Sequence, residues 1–255
     1  MTQNAERFTG RIGEYEQYRI RYPRELLSLL RERCGLSEGH VIADVGAGTG
    51  MLAELFLENG NAVFAVEPNE EMRAACERLC ERYARLTIVE ATAEATKLED
   101  ASVDFVAAGR AFHWFDQELA IREFRRVLRA DGWVVLAANG RRHGDSEQEM
   151  EYERILMEEG VDHRDVRSRY RVHERVASLF ADGTVIQKQS DGEQVLTLEA
   201  FLGQTQSYSA VPLPGHPKYE GMQRALHDFF ERFQRDGLLR VTTMCFVTCG
   251  QFSTR

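Results

Sequence analysis

Asp44, Gly46, Gly48 and Gly50 have the residue types and the spacing of a ligand-binding turn. They follow a short apolar run that is typical of a buried central strand. Glycines permit a tight turn and the close approach of a ligand to the backbone, and a helix predicted from Met51 would point its free N–H groups at that ligand. The segment therefore predicts a site for a nucleotide-like ligand.

A second acid, Glu67, closes the next apolar run and lies 21 residues after Gly46. A carboxylate at the end of the second strand can accept hydrogen bonds from both ribose hydroxyl groups, an arrangement that dinucleotide-binding folds also use. The dinucleotide fingerprint requires glycine at position 51, where this chain has Met51. Glu67 therefore predicts a ribose site, and the glycine spacing disfavours a dinucleotide.

The Asp-x-Gly-x-Gly-x-Gly pattern resembles motif I of the class I S-adenosylmethionine-dependent methyltransferases. The resemblance implies that Asp44 helps to hold the amino-acid end of S-adenosylmethionine and that Glu67 binds its ribose. It also implies that the backbone at Ala93 and the carboxylate of Glu94 recognise adenine. The cofactor implied is S-adenosylmethionine, with S-adenosylhomocysteine as its product.

The run from Ala111 to Phe115 resembles one small-molecule branch of this family, that of the type 11 and the ubiquinone and menaquinone methyltransferases. The resemblance places Phe112 and Trp114 where the methyl group leaves, so that their rings wall the sulfonium and exclude water. His113 is then a candidate general base, because a histidine pKa lies near neutrality. Packing of all these side chains in the core is an equally open interpretation.

The segment from Tyr15 to Pro23 is similar to a lead-in that folds over the cofactor in the same branch. An arginine there could pair with the cofactor carboxylate through its bidentate guanidinium. The alternative is that these residues only pack the first helix on the sheet. The residues expected to contact the cofactor are Tyr18, Arg19, Asp44, Gly46, Ala47, Gly48, Gly50, Glu67, Pro68, Met72, Ala93, Glu94 and Arg110. Those expected to contact the substrate are Tyr15, Tyr22, Phe112, His113 and Trp114.

Alternating apolar and amphipathic segments must position these side chains. Strands are predicted near 40–45, 62–67, 86–91, 103–108 and 133–138, and helices near 23–33, 50–59, 69–84 and 117–129. This alternation predicts an α/β, Rossmann-like, doubly wound sheet. The family resemblance adds a sixth strand at 184–190 and a last, antiparallel strand at 240–249, which gives a mostly parallel sheet of seven strands.

The chain divides into three predicted parts. Residues 1–140 form the N-terminal lid and the cofactor-binding core, the charge-dense residues 141–183 form a helical cap insertion, and residues 184–255 complete the same sheet with inserted helices. The stretch 141–179 matches no motif, so it carries little information about the substrate.

Composition excludes several classes of function. The 255 residues carry a net charge of −9, which disfavours a nucleic-acid partner. No segment approaches 18 uninterrupted apolar residues and the N-terminus lacks a basic and apolar leader, so we expect a cytoplasmic protein without membrane contact, as a monomer or homodimer. Two Cys-x-x-x-Cys pairs could form a zinc site, but the helical spacing of Cys76 and Cys80 with Met72, Leu79 and Tyr83 indicates that these two are core cysteines, and no metal is expected.

These observations predict an enzyme that transfers a methyl group from S-adenosylmethionine to an O, N or C nucleophile of a small molecule. Two alternatives stay open. One is a non-catalytic subunit or regulator that binds S-adenosylmethionine, and the other is an NAD-dependent dehydrogenase that shares only the strand, glycine and acid pattern.

Overall fold

The computed structural model describes residues 10–144, 146–161, 163, 178 and 180–253. Seven strands form one sheet. They are β1 (Val41–Val45), β2 (Ala62–Val66), β3 (Leu86–Val89), β4 (Val103–Gly109), β5 (Leu128–Arg141), β6 (Ile186–Leu196) and β7 (Leu239–Gly250). The described helices are α1 (Ile12–Tyr18), α2 (Glu25–Cys34), α3 (Met51–Glu58), α4 (Glu70–Glu77), α5 (Gln117–Val127), α6 (Glu147–Glu159), α7 (Leu198–Gln206) and α8 (Tyr219–Phe233).

The sheet has the strand order β3-β2-β1-β4-β5-β7-β6. β7 runs antiparallel between β5 and β6, and the other strands are parallel to one another. The predicted doubly wound, Rossmann-like sheet with an antiparallel last strand is confirmed. Its strand order reverses between β1 and β4, and ligands of such sheets bind at the carboxyl ends of the strands beside that point.

Apolar side chains cover both faces of the sheet. On one face, Leu30 of α2 and Phe56 of α3 pack on the strands and are fully buried. On the other face, Phe124 of α5 packs against Val106 of β4. Strands that are buried on both faces have continuous apolar sequences, so the central strands could be predicted from the sequence.

Helices α6, α7 and α8, which we call the cap, share a separate core with the first residues of β7. Phe201 and Phe229 stack at its centre, with ring centroids 5.3 Å apart. The described part of the predicted cap insertion is α6, and residues 164–177 lie outside the described residues. The cap core therefore joins α6 to helices that come more than 35 residues later in the chain. The predicted domain boundaries stay a prediction.

Several predicted boundaries shift. α5 ends at Val127 and β5 begins at once, with Asp131 at φ +62° in an irregular part of the strand. The predicted helix near 117–129 and strand near 133–138 left a gap at this point, where Asp131 and Gly132 are turn formers. β6 extends to Leu196 because it pairs with β7 along its whole length, and the following helix begins after Thr197, whose hydroxyl accepts from the Ala200 N–H. None of the helices in the described ranges is long and apolar enough to cross a membrane.

Candidate cofactor and acceptor site

The glycine turn lies at the carboxyl end of β1. The backbone N–H groups of Gly46 and Ala47 donate to the carbonyl of Val66 at 2.8 and 3.1 Å, which ties the turn to β2. Gly46 adopts φ +69°, and a Cβ there would lie 2.6 Å from the Cβ of Ala111. The close approach of the loop after β4 therefore requires glycine at this position.

Gly46→Ala is expected to lower the free energy of unfolding by about 1–3 kcal/mol, because it combines a left-handed backbone with a steric clash. Chemical denaturation measures the effect. Gly39→Ala is the matched control, since a Cβ at Gly39 would meet only the Ser37 hydroxyl oxygen at 3.9 Å. An unchanged denaturation midpoint in Gly46→Ala would show that the turn has room to relax.

Asp44 is the last but one residue of β1 and is fully buried. Neither of its carboxylate oxygens has a hydrogen-bond partner among the described residues. Burial is the main reason that the pKa of the Asp44 carboxyl is raised from its usual 3.8 to about 7; the nearby backbone N–H of Ala53 lowers this pKa, and the negative charge of Glu67 raises it. Burying a carboxylate without a partner costs free energy, so a cationic ligand would stabilise this site.

Glu67 lies at the end of β2 and is almost completely buried. Its two carboxylate oxygens accept hydrogen bonds from the N–H groups of Gly48 and Asn69, both at 2.8 Å. Burial raises the pKa of Glu67, while these two backbone donors lower it. A carboxylate has about four acceptor sites, so two remain for ligand hydroxyl groups.

Three adjoining cavities open at this edge of the sheet, and Tyr15 and Arg110 line all of them. The first contains Glu67, Met72 and Glu94, and we call it the adenosine cavity. The second contains Asp44, and we call it the amino-acid cavity. The third lies under the cap, and we call it the acceptor cavity.

An aromatic wall separates the adenosine cavity from the acceptor cavity. Trp114 and Tyr15 line both, and Phe115 lines the adenosine cavity. Phe112 turns away into the core and meets Phe115 edge to face, with ring centroids 5.9 Å apart. The boundary between the two larger cavities is therefore where a reacting group would be shielded from water by aromatic rings.

The lead-in helix α1 closes the mouth of the site by docking on α7. The Tyr18 hydroxyl donates to Glu199 at 2.9 Å, and its ring covers Gly203, where a Cβ would lie only 2.2 Å from the Cδ2 of Tyr18. The guanidinium of Arg19 lies between the rings of Tyr15 and Tyr208, at 4.8 and 4.7 Å. The lead-in thus joins the core to the cap.

Gly203→Ala is expected to displace Tyr18 and loosen α1 from α7, because the Tyr18 ring occupies the space of the added Cβ. Affinity for S-adenosylhomocysteine should fall about tenfold, which corresponds to about 1.4 kcal/mol. Isothermal titration calorimetry measures it, and Gly13→Ala in α1 is the control, since no described atom lies within 4 Å of a Cβ there. Equal affinities would show that α1 does not retain the cofactor.

Comparison with known proteins agrees with this geometry. Residues 43–136 match the family described as a methyltransferase domain. An uncharacterized methyltransferase of Schizosaccharomyces pombe is 33% identical over 133 residues, which are 52% of this chain and 52% of the relative. One of Mycobacterium bovis is 37% identical over 134 residues, again 52% of each. The chain thus spans about half the length of the curated relatives it matches.

A solved structure covers nearly the whole chain. It is that of a candidate type II methyltransferase from Anaeromyxobacter dehalogenans, which is 28% identical, covers 92% of this chain and 98% of its own, and has a TM-score of 0.67. These comparisons show that the chain is similar to methyltransferases, and its glycine motif resembles that of the class I S-adenosylmethionine-dependent family. S-adenosylmethionine is the cofactor of this family.

The residues of the site fit that cofactor. The ammonium group of the cofactor would satisfy the buried Asp44, which has no hydrogen-bond partner in the described chain. Its ribose hydroxyl groups would take the two open acceptor sites of Glu67. Gly48 leaves the cradle open, because a Cβ there would meet only the Met72 sulfur at 3.9 Å.

Most of the predicted site residues line the three cavities. Those in one or more of them are Tyr15, Arg19, Tyr22, Asp44, Gly46, Ala47, Gly48, Glu67, Pro68, Met72, Ala93, Glu94, Arg110 and Trp114. Gly50 instead lies under α4, where a Cβ would meet Leu79 at 2.6 Å, and Tyr18 lies on α7. Their predicted cofactor contacts are therefore not seen in these cavities.

Two predicted substrate residues lie outside the lining of these cavities. Phe112 packs with Phe115 and Phe124 in the core, as the alternative interpretation from the sequence had allowed. His113 is buried in the short 3-10 helix that ends at Trp114, with the two rings 4.7 Å apart. Its role as a general base stays a prediction that the geometry does not strengthen.

The sequence missed the residues of the acceptor cavity that come from the end of β5, from α6 and from the loops beside the cap. They are Arg141, His143, Tyr152, Leu156, His163 and Tyr208. They lie in segments that match no motif, and only the tertiary structure brings them to Trp114. Phe115, in contrast, stood inside a recognised motif and could have been added to the predicted wall.

Proposed function

We propose that this chain transfers the methyl group of S-adenosylmethionine to a nucleophilic O, N or C atom of a small molecule. The observation that carries the proposal is the pair of adjoining cavities with one aromatic wall, at Trp114 and Tyr15, between them. One cavity fits the cofactor, and the other has room for a separate small molecule beside it.

When bound, the cofactor supplies a methyl carbon made electrophilic by its sulfonium. The protein's part is to align the acceptor with that carbon and to exclude water, and alignment alone contributes up to about 7–11 kcal/mol in favourable intramolecular reactions. Asp44 would hold the ammonium group and Glu67 the ribose. The rings of Trp114 and Tyr15 would face a cationic centre, an arrangement worth roughly 0.5–2 kcal/mol.

A small molecule fits the acceptor cavity better than a macromolecule does. The cavity is covered by α1 and the cap, since Arg19 donates to Ser207 and Tyr18 donates to Glu199. A nucleic acid would in addition meet a protein of net charge −9. We therefore propose a metabolite as the acceptor, in a cytoplasmic enzyme.

Two experiments test the function. Calorimetric titration with S-adenosylmethionine, S-adenosylhomocysteine and NAD should give binding of the first two only. Incubation of metabolite pools with methyl-labelled cofactor, followed by mass analysis, should then give a labelled product. Lack of binding would overturn the cofactor site. Binding without transfer to any metabolite would favour a non-catalytic regulator, and binding of NAD alone would favour a dehydrogenase.

A further inference from the structure

The acceptor cavity has an unusual charge for a protein of net charge −9. Three arginines line it, namely Arg19, Arg110 and Arg141, and two histidines join them. No aspartate or glutamate is among its lining residues in the part of the chain that the structure describes. Such a concentration of positive charge favours an anionic ligand.

Arg141 is the decisive residue. It is the last residue of β5 and only 8% exposed. Its Nε donates to Gln204 at 2.9 Å, and its guanidinium lies 4.3 and 4.7 Å from the ring centroids of Tyr152 and Phe201. Its Nη2 has no hydrogen-bond partner in the described chain. The guanidinium of this cavity-lining residue therefore keeps an unused donor position.

The neighbouring acid does not neutralise Arg141. Glu153 of α6 contacts His143 at 3.3 Å and His163 at 3.1 Å. Within the described chain, the Arg141 guanidinium contacts an amide and two aromatic rings, and it contacts no carboxylate. Contacts with aromatic rings offset only part of the cost of burying a cation, since each contributes about 2 kcal/mol when desolvated.

The carboxylate of the cofactor does not account for Arg141 either. Arg19 and Arg110 line the amino-acid cavity beside Asp44 and are placed to serve that carboxylate. Arg141 lines the acceptor cavity and is absent from the lining of the other two. A second anion, separate from the cofactor, is therefore the group that would complete its hydrogen bonds.

We infer that the methyl acceptor is an anionic small molecule whose carboxylate or phosphate group binds Arg141. The inference rests on the proposed function and names the substrate class of the same site. Tyr152, Leu156, Tyr208 and Val211 supply an apolar surface beside the charged group. The acceptor thus combines an anionic head with an apolar or aromatic body. Arg141 is a binding residue for that head.

The test compares anionic probes with neutral analogues of the same shape. Benzoate, 3-phenylpropanoate and phenyl phosphate are titrated into the protein saturated with S-adenosylhomocysteine, in parallel with benzamide, 3-phenylpropanamide and phenol. Wild-type protein should bind at least one anion about tenfold more tightly than its neutral analogue. Arg141→Gln should remove that preference, and Arg141→Lys should retain part of it. Benzoate and phenyl phosphate separate a carboxylate site from a phosphate site.

Arg240→Gln is the matched control, because Arg240 is exposed and pairs with Glu193 on the surface. The affinity for S-adenosylhomocysteine reports whether each variant is folded. If Arg141→Gln fails to fold, the comparison of anions with neutral analogues in the wild-type protein still tests the inference. Wild type that binds S-adenosylhomocysteine but shows no preference for anions would overturn the inference. So would undiminished anion binding in folded Arg141→Gln. Loss of S-adenosylhomocysteine binding by the wild type would instead refute the proposed function.

Discussion

Asp44→Asn is expected to abolish cofactor binding while it stabilises the ligand-free protein at alkaline pH. The affinity for S-adenosylmethionine should fall at least about 100-fold, since breaking a buried ion pair costs about 3–5 kcal/mol. Without ligand, the variant should be more stable than wild type at alkaline pH, because it no longer buries a carboxylate without a partner.

The pH dependence follows from the pKa of Asp44, which lies at about 7 in the folded chain and at 3.8 ordinarily. Between these values the folded protein binds more protons at this group than the unfolded chain does. Stability therefore falls as pH rises through this range, by up to about 4 kcal/mol in total. The stability of the asparagine variant does not fall with pH in this way. Its buried amide also needs hydrogen-bond partners, however, and lacking them costs about 1–3 kcal/mol.

Thermal unfolding at pH 5 and pH 8 measures the difference. The melting temperature of Asp44→Asn relative to wild type should be higher at pH 8 than at pH 5. Asp100→Asn is the control, because Asp100 is an exposed acid that pairs with Arg126 on the surface. If the two melting temperatures differ by the same amount at both pH values, Asp44 does not carry the unpaired charge that the geometry assigns to it.

Glu67→Gln is the second change with a large expected effect. The amide keeps the shape of the side chain but replaces one acceptor oxygen with a donor, so that it cannot accept from Gly48, Asn69 and both ribose hydroxyl groups together. Hydrogen bonds to charged groups contribute about 1.5–3 kcal/mol each. The affinity for S-adenosylhomocysteine should fall by about 10- to 100-fold.

Calorimetric titration measures this loss, and Glu90→Gln is the matched control. Glu90 follows the neighbouring strand β3, but its side chain is 72% exposed and contacts Arg73 at 3.5 Å. The control should bind the product as wild type does. Adenine should bind wild type and Glu67→Gln with equal affinity, because it lacks the ribose. Unchanged affinity in Glu67→Gln would place the ribose elsewhere in the cavity.

The fold and the cofactor half of the site could be predicted because their determinants are local. A buried parallel strand, the glycines that must adopt positive φ and an acid at the strand end are adjacent in the chain. Asp44, Gly46 and Gly48 therefore mark the site by spacing alone. The carboxyl ends of parallel strands meet at one edge, so Glu67 had to lie near them.

The acceptor half was decided by the tertiary structure. Arg141, Tyr152 and Tyr208 come from three separate elements, and no periodicity links them. The tertiary structure also decided the different positions of Phe112 and Trp114, which are two residues apart. The ring of Phe112 enters the core and that of Trp114 lines the cavities, because the 3-10 helix that contains both points its side chains in different directions. The sequence by itself determined the glycine turn and the acids at the ends of the first two strands, since they depend on local backbone geometry, and the expected cofactor followed from the resemblance of that turn to a known motif. What stands beside the cofactor depends on long-range packing of the cap, which no short motif encodes.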